Sequence, residues 1–303
     1  MLVESFVLMH FPFQIWLALP LAAAAEPLVL GTYNLENYGL ANRRTEQGFE
    51  REYPKPEAEK DAVRQVIADL RADVLGLQEM GTEADLDELR RDLRSEGIND
   101  DYGATMEGED RNRHLAILAK RPLRAVRRHA VLAFNYLGGR AEVKRGLLEA
   151  VVATPAGDLA IFVVHLKSHL TERKEDPEGA ARRLAEAAAV RDCILQEFPD
   201  PSRGRYVVLG DCNDGSHSPT LQRLERRGAR IVAVRLPAAD SRGETWTEAW
   251  RRGDRYSELD HILVAPGLMA AVAGGAARIA DGAAVGRASD HRPVRVCLEL
   301  ISR

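Results

Sequence analysis

Cysteine is scarce in this sequence: the 303 residues contain only Cys193, Cys212 and Cys297, and no two of them form a CxxC pair. This odd number at these spacings predicts neither a disulfide scaffold nor a thiolate zinc site, although one pair could bridge in an exported protein. The zinc-protease motif HExxH and the serine-hydrolase motif GxSxG are also absent. The sequence therefore lacks the signatures of those two hydrolase classes, and buried thiols are the simplest expectation for the cysteines.

The chain also lacks a strong excess of charge of either sign. Its formal net charge at pH 7 is −4, which argues against a purely electrostatic nucleic-acid binder but leaves room for local basic surface. Hydrophobic residues make up 45% of the sequence, which is enough for a large core. We therefore expect a single large domain, without internal repeats of fixed period.

No apolar run is long enough to cross a membrane. The run from Phe11 to Ala25 falls short of the about 20 residues that a spanning helix requires, and it ends in small residues. This pattern predicts a secretion signal over residues 1–25, with translation starting at Met1 or Met9 and cleavage near Ala25. The exported product would then be a domain over residues 26–303. The alternative is a hydrophobic N-terminal helix that stays in the fold.

What the sequence does contain is a series of short apolar runs that end on polar residues. In the clearest case, Tyr206 to Leu209 predicts a buried strand, and Gly210 allows a turn without a Cβ. Asp211 and Asn213 follow, and a period of two places them on one face with Cys212 on the other. The alternative is an Asx turn, in which Asp211 and Asn213 only satisfy local backbone groups.

The same arrangement recurs along the chain. Polar residues end or begin other predicted strands at Asn34, Glu79, His165, Asp260 with His261, and Asp290 with His291. Each has a simpler explanation by itself, since Glu79 could cap a helix and His165 could be a hydrogen-bonded core histidine.

Helices are predicted over Glu57 to Leu70 and Asp85 to Leu93, and an irregular loop over Leu40 to Pro56. Strands dominate the middle of the chain, which predicts a layered α/β fold with mixed sheets.

The types of donor atom in this set indicate a hard metal ion. Glu79 and Asp290 supply carboxylates, and with Asn34 they suit Mg²⁺ or Mn²⁺ better than zinc. A pairing of Asp260 with His291 would orient the imidazole and make it more basic. The residues alone therefore predict a divalent-metal site with a group beside it for proton transfer or phosphate binding.

Six short motifs occur in an order that is found in one known superfamily. They are Gly31 to Asn34, Gly76 to Glu79, Val164 to Ser168, Leu209 to Asn213, Glu258 to His261 and Ser289 to His291. On these motifs the chain resembles the endonuclease/exonuclease/phosphatase superfamily, the DNase I-like metal-dependent phosphoesterases, from about Leu28 to Leu300. The likeness implies an α/β fold in the form of a four-layer sandwich, with two mixed β-sheets flanked by helices. It also implies metal ligands at Asn34 and Glu79, with Asp290 assisting.

The resemblance further assigns catalytic roles to the remaining polar residues. It implies that Asp211 aligns or deprotonates the attacking water and that Asn213 holds a phosphate oxygen. His291, backed by Asp260, would stabilise the transition state. His165 would bind phosphate or protonate the leaving oxygen.

The substrate expected from these features is nucleic acid. Residues 111–128 contain seven basic side chains and no acidic one, and Arg111 and Arg113 could hold a phosphate-rich ligand. The alternative for the later part of this stretch is a charged strand edge. Lys167 lies in a segment that looks like the secreted, nuclease-like branch, where it would bind substrate or be a solvated loop residue. The second hypothesis is a phosphatase or a sphingomyelinase-like esterase that acts on a small or lipid phosphate. The third hypothesis is an inactive binding module on the same fold.

Overall fold

Strands and short helices alternate along the chain and form two large sheets. The computed structural model describes residues 26–45, 48–171 and 173–301. In chain order the first elements are β1 (Glu26–Asn34), β2 (Ala41–Thr45), β3 (Gly48–Tyr53), α1 (Glu57–Leu70), β4 (Val74–Met80), α2 (Glu83–Ser95), β5 (Tyr102–Met106), β6 (His114–Ala119), β7 (Leu123–His129), β8 (Ala133–Tyr136), β9 (Gly139–Glu142), β10 (Leu147–Val152) and β11 (Leu159–His165). The later elements are α3 (Ala180–Glu197), β12 (Tyr206–Asp211), α4 (Pro219–Glu225), β13 (Arg226–Arg227), β14 (Arg230–Ile231), β15 (Val234–Arg235), β16 (Ala238–Ala239), β17 (Glu248–Trp250), β18 (Arg255–Ser257), β19 (Asp260–Val264), β20 (Ala277–Ile279), α5 (Val285–Ala288) and β21 (Val294–Leu300).

Both large sheets are mixed. The seven-stranded sheet has the order β16-β20-β21-β1-β4-β6-β5, and the six-stranded sheet has the order β15-β19-β12-β11-β10-β7. In each sheet two central strands run parallel, β1 with β4 and β11 with β12. Their neighbours β21 and β19 run antiparallel to them. The carboxyl ends of each parallel pair therefore share one edge of the sheet with the amino end of an antiparallel strand.

The largest core lies between the two sheets. Leu30 of β1, Ile117 of β6, Val163 of β11 and Leu209 of β12 are fully buried and belong to one apolar cluster. The sheets approach so closely at Gly76 in β4 that a Cβ there would lie 2.3 Å from the Leu209 side chain. A larger residue at this position would displace the facing strand.

Helices cover the outer faces of both sheets. α1 and α2 pack on the seven-stranded sheet through buried residues such as Val63 and Leu86. α3 packs on the six-stranded sheet, where its Val190 and Ile194 contact the same core cluster as Tyr206 of β12. The layers therefore run helix, sheet, sheet, helix, which confirms the predicted α/β four-layer sandwich.

The structure confirms most of the predicted elements and corrects one. The helix predicted over Glu57–Leu70 has those bounds. The irregular loop predicted between Leu40 and Pro56 is wrong, because β2 and β3 pair there as an antiparallel hairpin. Every residue of β3 is exposed, so the hairpin lacks the apolar alternation by which a half-buried strand is recognised.

Two predictions about the N-terminal region and the thiols have different outcomes. The predicted secretion signal, residues 1–25, lies outside the described residues. Within the described part of the chain, no helix combines the length and the apolar character needed to cross a bilayer. All three cysteines are free thiols; Cys212 is buried in the core, as expected, whereas Cys193 and Cys297 are only partly buried.

Candidate active site

Three of the predicted residues lie in one row across the six-stranded sheet. His165 at the end of β11 pairs with Asp211 at the end of β12, and Asp211 pairs with Asp260 at the start of β19. Residues directly opposite each other on neighbouring strands have side chains on the same face, about 5 Å apart. The Nε2 atom of His165 lies 3.4 Å from Oδ2 of Asp211, and each of the three residues is 2% exposed. The register of the sheet thus brings one imidazole and two carboxylates together.

Gly210 and Asn213 shape the turn at the end of β12. Gly210 has a φ of 149°, and a Cβ there would lie 2.0 Å from the carbonyl oxygen of Val164. Asn213 has a φ of 50°; its backbone N–H donates to Oδ1 of Asp211 at 2.8 Å, and its amide donates to the Leu166 carbonyl at 3.0 Å. The Asx-type contact considered as the alternative is therefore present. It engages only one oxygen of Asp211, so Oδ2 remains directed at His165.

His291 is held in place by Asp260. The Nδ1 atom of His291 lies 2.7 Å from Oδ2 of Asp260, and both residues are buried. The hydroxyl of Thr247 accepts hydrogen bonds from the backbone N–H groups of Leu259 and Asp260 at 2.9 and 3.0 Å, which fixes the start of β19. Because Nδ1 is engaged, Nε2 is the ring atom of His291 that remains for a substrate.

Asn34 joins the two sheets at this edge. Its amide donates to Oδ2 of Asp211 at 3.0 Å, and its Oδ1 accepts from the backbone N–H of Glu36 at 3.0 Å. The Ser289 hydroxyl donates to the backbone carbonyl of Asn34 at 2.8 Å and accepts from the His291 N–H at 3.0 Å. Ser289 thus ties the loop before β21 to the end of β1, which is a structural role and not that of a nucleophile.

Glu79 lies on a bulge near the end of β4. The register of β4 against β6 shifts between Leu77 and Met80, and Glu79 has a φ of 57°. Its Oε2 accepts from the backbone N–H of Asn37 at 3.0 Å, and its Oε1 lies 3.3 Å from Nε of Arg113. Positive φ at a non-glycine residue costs energy, and such residues concentrate at functional sites. The bulge thus directs this carboxylate to the loop that follows β1.

Glu36 is a residue of the site that the sequence reasoning missed. Its Oε2 accepts from the backbone N–H of Asp290 at 2.9 Å, and its own φ is 49°. Burial, and next the Asp290 carboxylate, raises the pKa of Glu36. The sequence held one signal for it, because Glu36 follows Asn34 by two residues where β1 ends on polar side chains.

Burial and charge give three of the catalytic candidates different proton affinities. Burial, followed by the nearby Asp260, raises the pKa of Asp211 to about 7. Burial, followed by Arg145, lowers the pKa of His165 well below its usual value. Burial also acts to lower the pKa of His291, but Asp260 outweighs it, and the pKa is raised well above the usual value. Near neutral pH the site therefore holds a carboxylate able to take a proton, a neutral imidazole and an imidazolium.

The donor atoms at this edge fit a divalent metal ion. The predicted ligands Asn34, Glu79 and Asp290 offer oxygen donors, which hard cations prefer. Asp211, Asp260 and His291 add ligand atoms that all lie within 4.8 Å of one another. Among the described residues, the buried Oδ1 of Asp260 has no hydrogen-bond partner. An unsatisfied buried carboxylate oxygen is costly, so a cation or a bound water beside it would stabilise the site.

The predicted substrate residues have separate locations. Arg113 is half-buried beside the β4 bulge, and Arg111 is exposed in the loop before β6. Lys167 is buried, and its ammonium donates to the carbonyl oxygens of Ser168, at 2.8 Å, and of Leu170. Of the three, Arg113 thus lies beside a predicted metal ligand, whereas Lys167 supports the loop that follows His165.

The later part of the basic stretch lies on β7, at one edge of the six-stranded sheet. Arg124 pairs with Asp158 at 3.1 Å, and Arg127 pairs with Glu149 and Glu197. Charged side chains on an edge strand prevent pairing with other chains. These contacts agree with the strand-edge alternative for this part of the stretch.

A two-sheet sandwich with carboxylates, an amide and imidazoles at one edge defines a phosphoesterase-like fold. The family model for the endonuclease/exonuclease/phosphatase family matches residues 31–291, and the chain belongs to that family. Members of the family are typically metal-dependent hydrolases that act on phosphoesters. No curated protein sequence matches the chain significantly.

Solved structures share the fold over nearly the whole chain. An endonuclease/exonuclease/phosphatase from Bacteroides vulgatus is 18% identical with a TM-score of 0.64, covering 91% of this chain and 99% of its own. Sphingomyelinase C from Streptomyces griseocarneus is 15% identical with a TM-score of 0.60, covering 90% and 99%. A beta toxin variant from Staphylococcus aureus with bound magnesium ions is 13% identical with a TM-score of 0.60, covering 92% and 100%. At these identities the likeness establishes the fold.

Proposed function

We propose that the protein is an exported, divalent-metal-dependent phosphodiesterase that hydrolyses nucleic acid by in-line attack of a water molecule. The row of His165, Asp211 and Asp260, with His291 bound to Asp260, is the observation that carries this proposal. Phosphoryl transfer needs a positioned nucleophile and neutralisation of the charge that develops on phosphoryl oxygens. The row and its neighbours supply groups for both tasks.

Asp211 is the group that takes a proton from the attacking water. Its Oδ2 accepts a hydrogen bond from the Asn34 amide and lies beside His165. Its pKa of about 7 matches proton transfer near neutral pH. The Asn213 N–H holds the other oxygen, so the orientation of the carboxylate is fixed before the substrate binds.

His291 supplies positive charge where the transition state becomes more negative. Asp260 holds its Nδ1, so the Nε2–H can donate to a phosphoryl oxygen or release its proton to the leaving oxygen. The lowered pKa keeps His165 neutral. It can therefore donate a hydrogen bond to the phosphate, but it is not the group that protonates the leaving oxygen. The Asn213 amide, held by the Leu166 carbonyl, has a second N–H for the phosphate.

A divalent cation held by Asn34, Glu79 and Asp290 would polarise a phosphoryl oxygen and offset the charge of the phosphate. The chain prepares these ligands through backbone contacts. The N–H of Asn37 holds the Glu79 carboxylate, and the Glu36 carboxylate holds the backbone of Asp290. Such supporting contacts fix the direction in which a ligand oxygen points.

A basic groove beside the site supports nucleic acid as the substrate. Two cavities of about 480 and 560 Å³ share Arg173 and Arg182 in their linings. The first also includes Arg140, and the second includes Lys144 and Lys167. The lining extends from Lys167, which follows His165 by two residues in the chain, to Arg140 on the β8–β9 hairpin. A polyanionic strand could follow it while one phosphate occupies the site.

The cations of this groove are only partly neutralised by the protein. Burial, and next the charges of Arg145 and Lys144, lowers the pKa of Lys167 to about 8. Arg182 pairs with Glu109 at 3.1 Å and with the buried Glu186 at 3.2 Å, and Lys144 lies 3.7 Å from Asp110. Among the described residues, the ammonium of Lys167 donates only to backbone carbonyls and to the Ser168 hydroxyl. Crowded cations attract polyanions, and bound phosphates would reduce their mutual repulsion.

A lipid phosphodiester is the second candidate substrate. The β17–β18 hairpin lies beside the site, because Glu248 forms a β-bridge with His291. Trp250 and Tyr256 on this hairpin are 46% and 58% exposed, which would suit contact with a lipid interface. Arg255 lies 4.5 Å from the Trp250 ring centroid and covers part of that surface, which makes this candidate the weaker one.

The deciding experiment compares substrates with and without metal. The purified domain is incubated with plasmid DNA, RNA, sphingomyelin and a chromogenic phosphate monoester, in Mg²⁺ and in EDTA. We expect cleavage of nucleic acid in Mg²⁺ and none in EDTA. Hydrolysis of sphingomyelin alone would show that a lipid phosphodiester is the substrate. Full activity in EDTA, with metal removal confirmed, would exclude the metal-dependent mechanism.

Export is tested separately from catalysis. We expect the product found outside the cytoplasm to begin near Glu26, because the apolar run ends in small residues suited to signal cleavage. N-terminal sequencing of exported protein measures this directly. An intact Met1 or Met9 on that material would contradict cleavage.

A further inference from the structure

A second cluster of reactive side chains lies away from the catalytic edge, between α3 and the six-stranded sheet. Cys193 of α3 places its sulfur 3.6 Å from Nδ1 of His129, at the end of β7. The other ring nitrogen of His129, Nε2, lies 2.9 Å from Oε2 of Glu149 on β10. A thiol, an imidazole and a carboxylate thus form a continuous series, which is the arrangement by which a base activates a nucleophile.

The two ends of this series differ in exposure. The Glu149 side chain is fully buried, whereas Cys193 and His129 are partly exposed. Arg127 pairs with both Glu149 and Glu197, the second at 2.7 Å, and these are the other charged groups that face the imidazole. Because Arg127 already pairs with both carboxylates, the cluster suits thiol chemistry better than metal binding. Cys193, which is partly exposed, is the end of the series opposite the buried carboxylate.

The hydrogen-bond geometry accommodates a protonated ring. With protons on both nitrogens, His129 donates one hydrogen bond to the Cys193 sulfur and the other to Glu149. The hydrogen bonds to Cys193 and then to Glu149 raise the pKa of His129 to about 10, against the opposing effect of burial. An imidazolium at this distance stabilises a thiolate.

We propose that Cys193, His129 and Glu149 form a thiolate–imidazolium–carboxylate site at which Cys193 is covalently modified by soft electrophiles such as hydroperoxides. With a hydroperoxide, the thiolate sulfur attacks one peroxide oxygen, an S–O bond forms and the O–O bond breaks. The sulfur is oxidised to a sulfenic acid, the peroxide is reduced, and the departing oxygen takes the imidazolium proton. This site is separate from phosphoester hydrolysis, so neither proposal depends on the other.

Cys297 provides a matched control within the same chain. It is also partly exposed and free, but burial, and next Glu299, raises the pKa of its thiol. An ordinary thiol loses reactivity about tenfold for each pH unit below its pKa, because only the thiolate reacts. A thiolate held by an imidazolium keeps its reactivity over the same range.

The test measures alkylation rates of the folded, full-length chain with iodoacetamide at pH 6, 7 and 8, with each cysteine followed by peptide mass spectrometry. We expect the Cys193 rate to change less than about threefold between pH 8 and pH 6, while the Cys297 rate falls about a hundredfold. In His129→Asn the Cys193 rate should acquire the steep pH dependence of Cys297. Circular dichroism and an unchanged thermal unfolding transition verify that the variant is folded.

Two results would overturn the proposal without relying on any variant. One is a Cys193 rate in the wild type that falls with pH as steeply as the Cys297 rate. The other is an absence of Cys193 labelling in the folded protein at every pH, while the same peptide labels fully in denaturant. A Cys193 rate in folded His129→Asn that stays independent of pH would also exclude His129 as the partner of the thiolate.

Discussion

The six-stranded sheet holds two buried carboxylates, each paired with a histidine at a similar distance. Asp260 and His291 are 2.7 Å apart at the edge that holds the candidate active site, and Glu149 and His129 are 2.9 Å apart beneath α3. They differ in what surrounds the carboxylate. Glu149 has a second carboxylate beside it, Glu197, but Arg127 pairs with both. Asp260 lies opposite a second carboxylate, Asp211, and its Oδ1 has no partner among the described residues.

The pKa values of Glu149 and Asp211 shift in opposite directions, in agreement with this difference. Burial acts to raise the pKa of Glu149, but the hydrogen bonds with His129 and Glu197 and the charges of Arg127 and His129 together outweigh it, and the pKa is lowered. At the catalytic edge burial and a neighbouring carboxylate raise the pKa of Asp211 to about 7. A buried carboxylate that is paired with cations has its charge compensated, and removing one partner destabilises the fold. Carboxylates that outnumber the nearby cations leave capacity for a metal ion, a proton or a substrate.

The largest effect that this comparison predicts concerns turnover. Asp260→Asn should lower turnover at least about a hundredfold, because His291 loses the carboxylate that orients and charges it. His291→Ala should cost at least as much. Steady-state kinetics on the preferred phosphodiester measures both.

Glu149→Gln is the matched control for Asp260→Asn. It should leave turnover nearly unchanged while lowering the free energy of unfolding by about 2 kcal/mol, since it weakens charge-assisted hydrogen bonds to His129 and Arg127. If both folded variants lost turnover to a similar extent, the claim that only the Asp260–His291 pair takes part in catalysis would be wrong.

Metal affinity should show the next largest effect. Glu79→Gln keeps the shape of the side chain but loses its charge, so Mg²⁺ affinity should fall about tenfold or more. Isothermal titration of the EDTA-treated protein measures it, and a folded variant shows an unchanged thermal transition. Unchanged affinity would remove Glu79 from the ligand set.

The sequence allowed much of the site to be predicted because its residues follow a repeated physical pattern. Asn34, His165 and Asp211 each end an apolar strand, and the ends of parallel strands share an edge. Sheet register, which no local pattern encodes, then places His165, Asp211 and Asp260 in one row. The roles assigned to these residues remain predictions.

Other parts of the site and fold had weak signals or none. Glu79 reaches its position through a bulge with positive φ, and a bulge cannot be inferred from apolar periodicity. The series from Cys193 to His129 and Glu149 joins three separate elements, with no motif to mark it. The β2–β3 hairpin was missed because exposed, charged strands do not alternate between apolar and polar residues.

The raised pKa of Asp211 should make the free energy of unfolding depend on pH. A raised pKa means that folded Asp211 binds its proton more readily than the unfolded chain does, so its presence destabilises the metal-free fold as pH rises from about 4 to about 7. Asp211→Asn removes this effect and should be more stable than the wild type at pH 8, by about 1.4 kcal/mol for each pKa unit of the shift. Thermal unfolding in EDTA at pH 4 and pH 8 measures it, and an equal difference at both pH values would contradict it.

The smallest effect concerns the basic side chains that lie off the row. Replacing both Arg140 and Arg173 with Gln should raise KM for DNA about threefold and flatten its dependence on salt, because each phosphate contact contributes to counterion release. Hydrolysis of a small chromogenic diester should hardly change, since the proposed chemistry involves Asp211 and its neighbours and not the groove. Arg124→Gln is the matched control, because Arg124 is exposed on the β7 edge and pairs with Asp158. The Arg111→Gln variant tests the exposed loop before β6 in the same assay. If Arg124→Gln changes KM for DNA as much as the groove variant does, general charge attracts the substrate and the groove has no special part. If the small diester loses as much as DNA does, the groove arginines act on the catalytic row or on the fold.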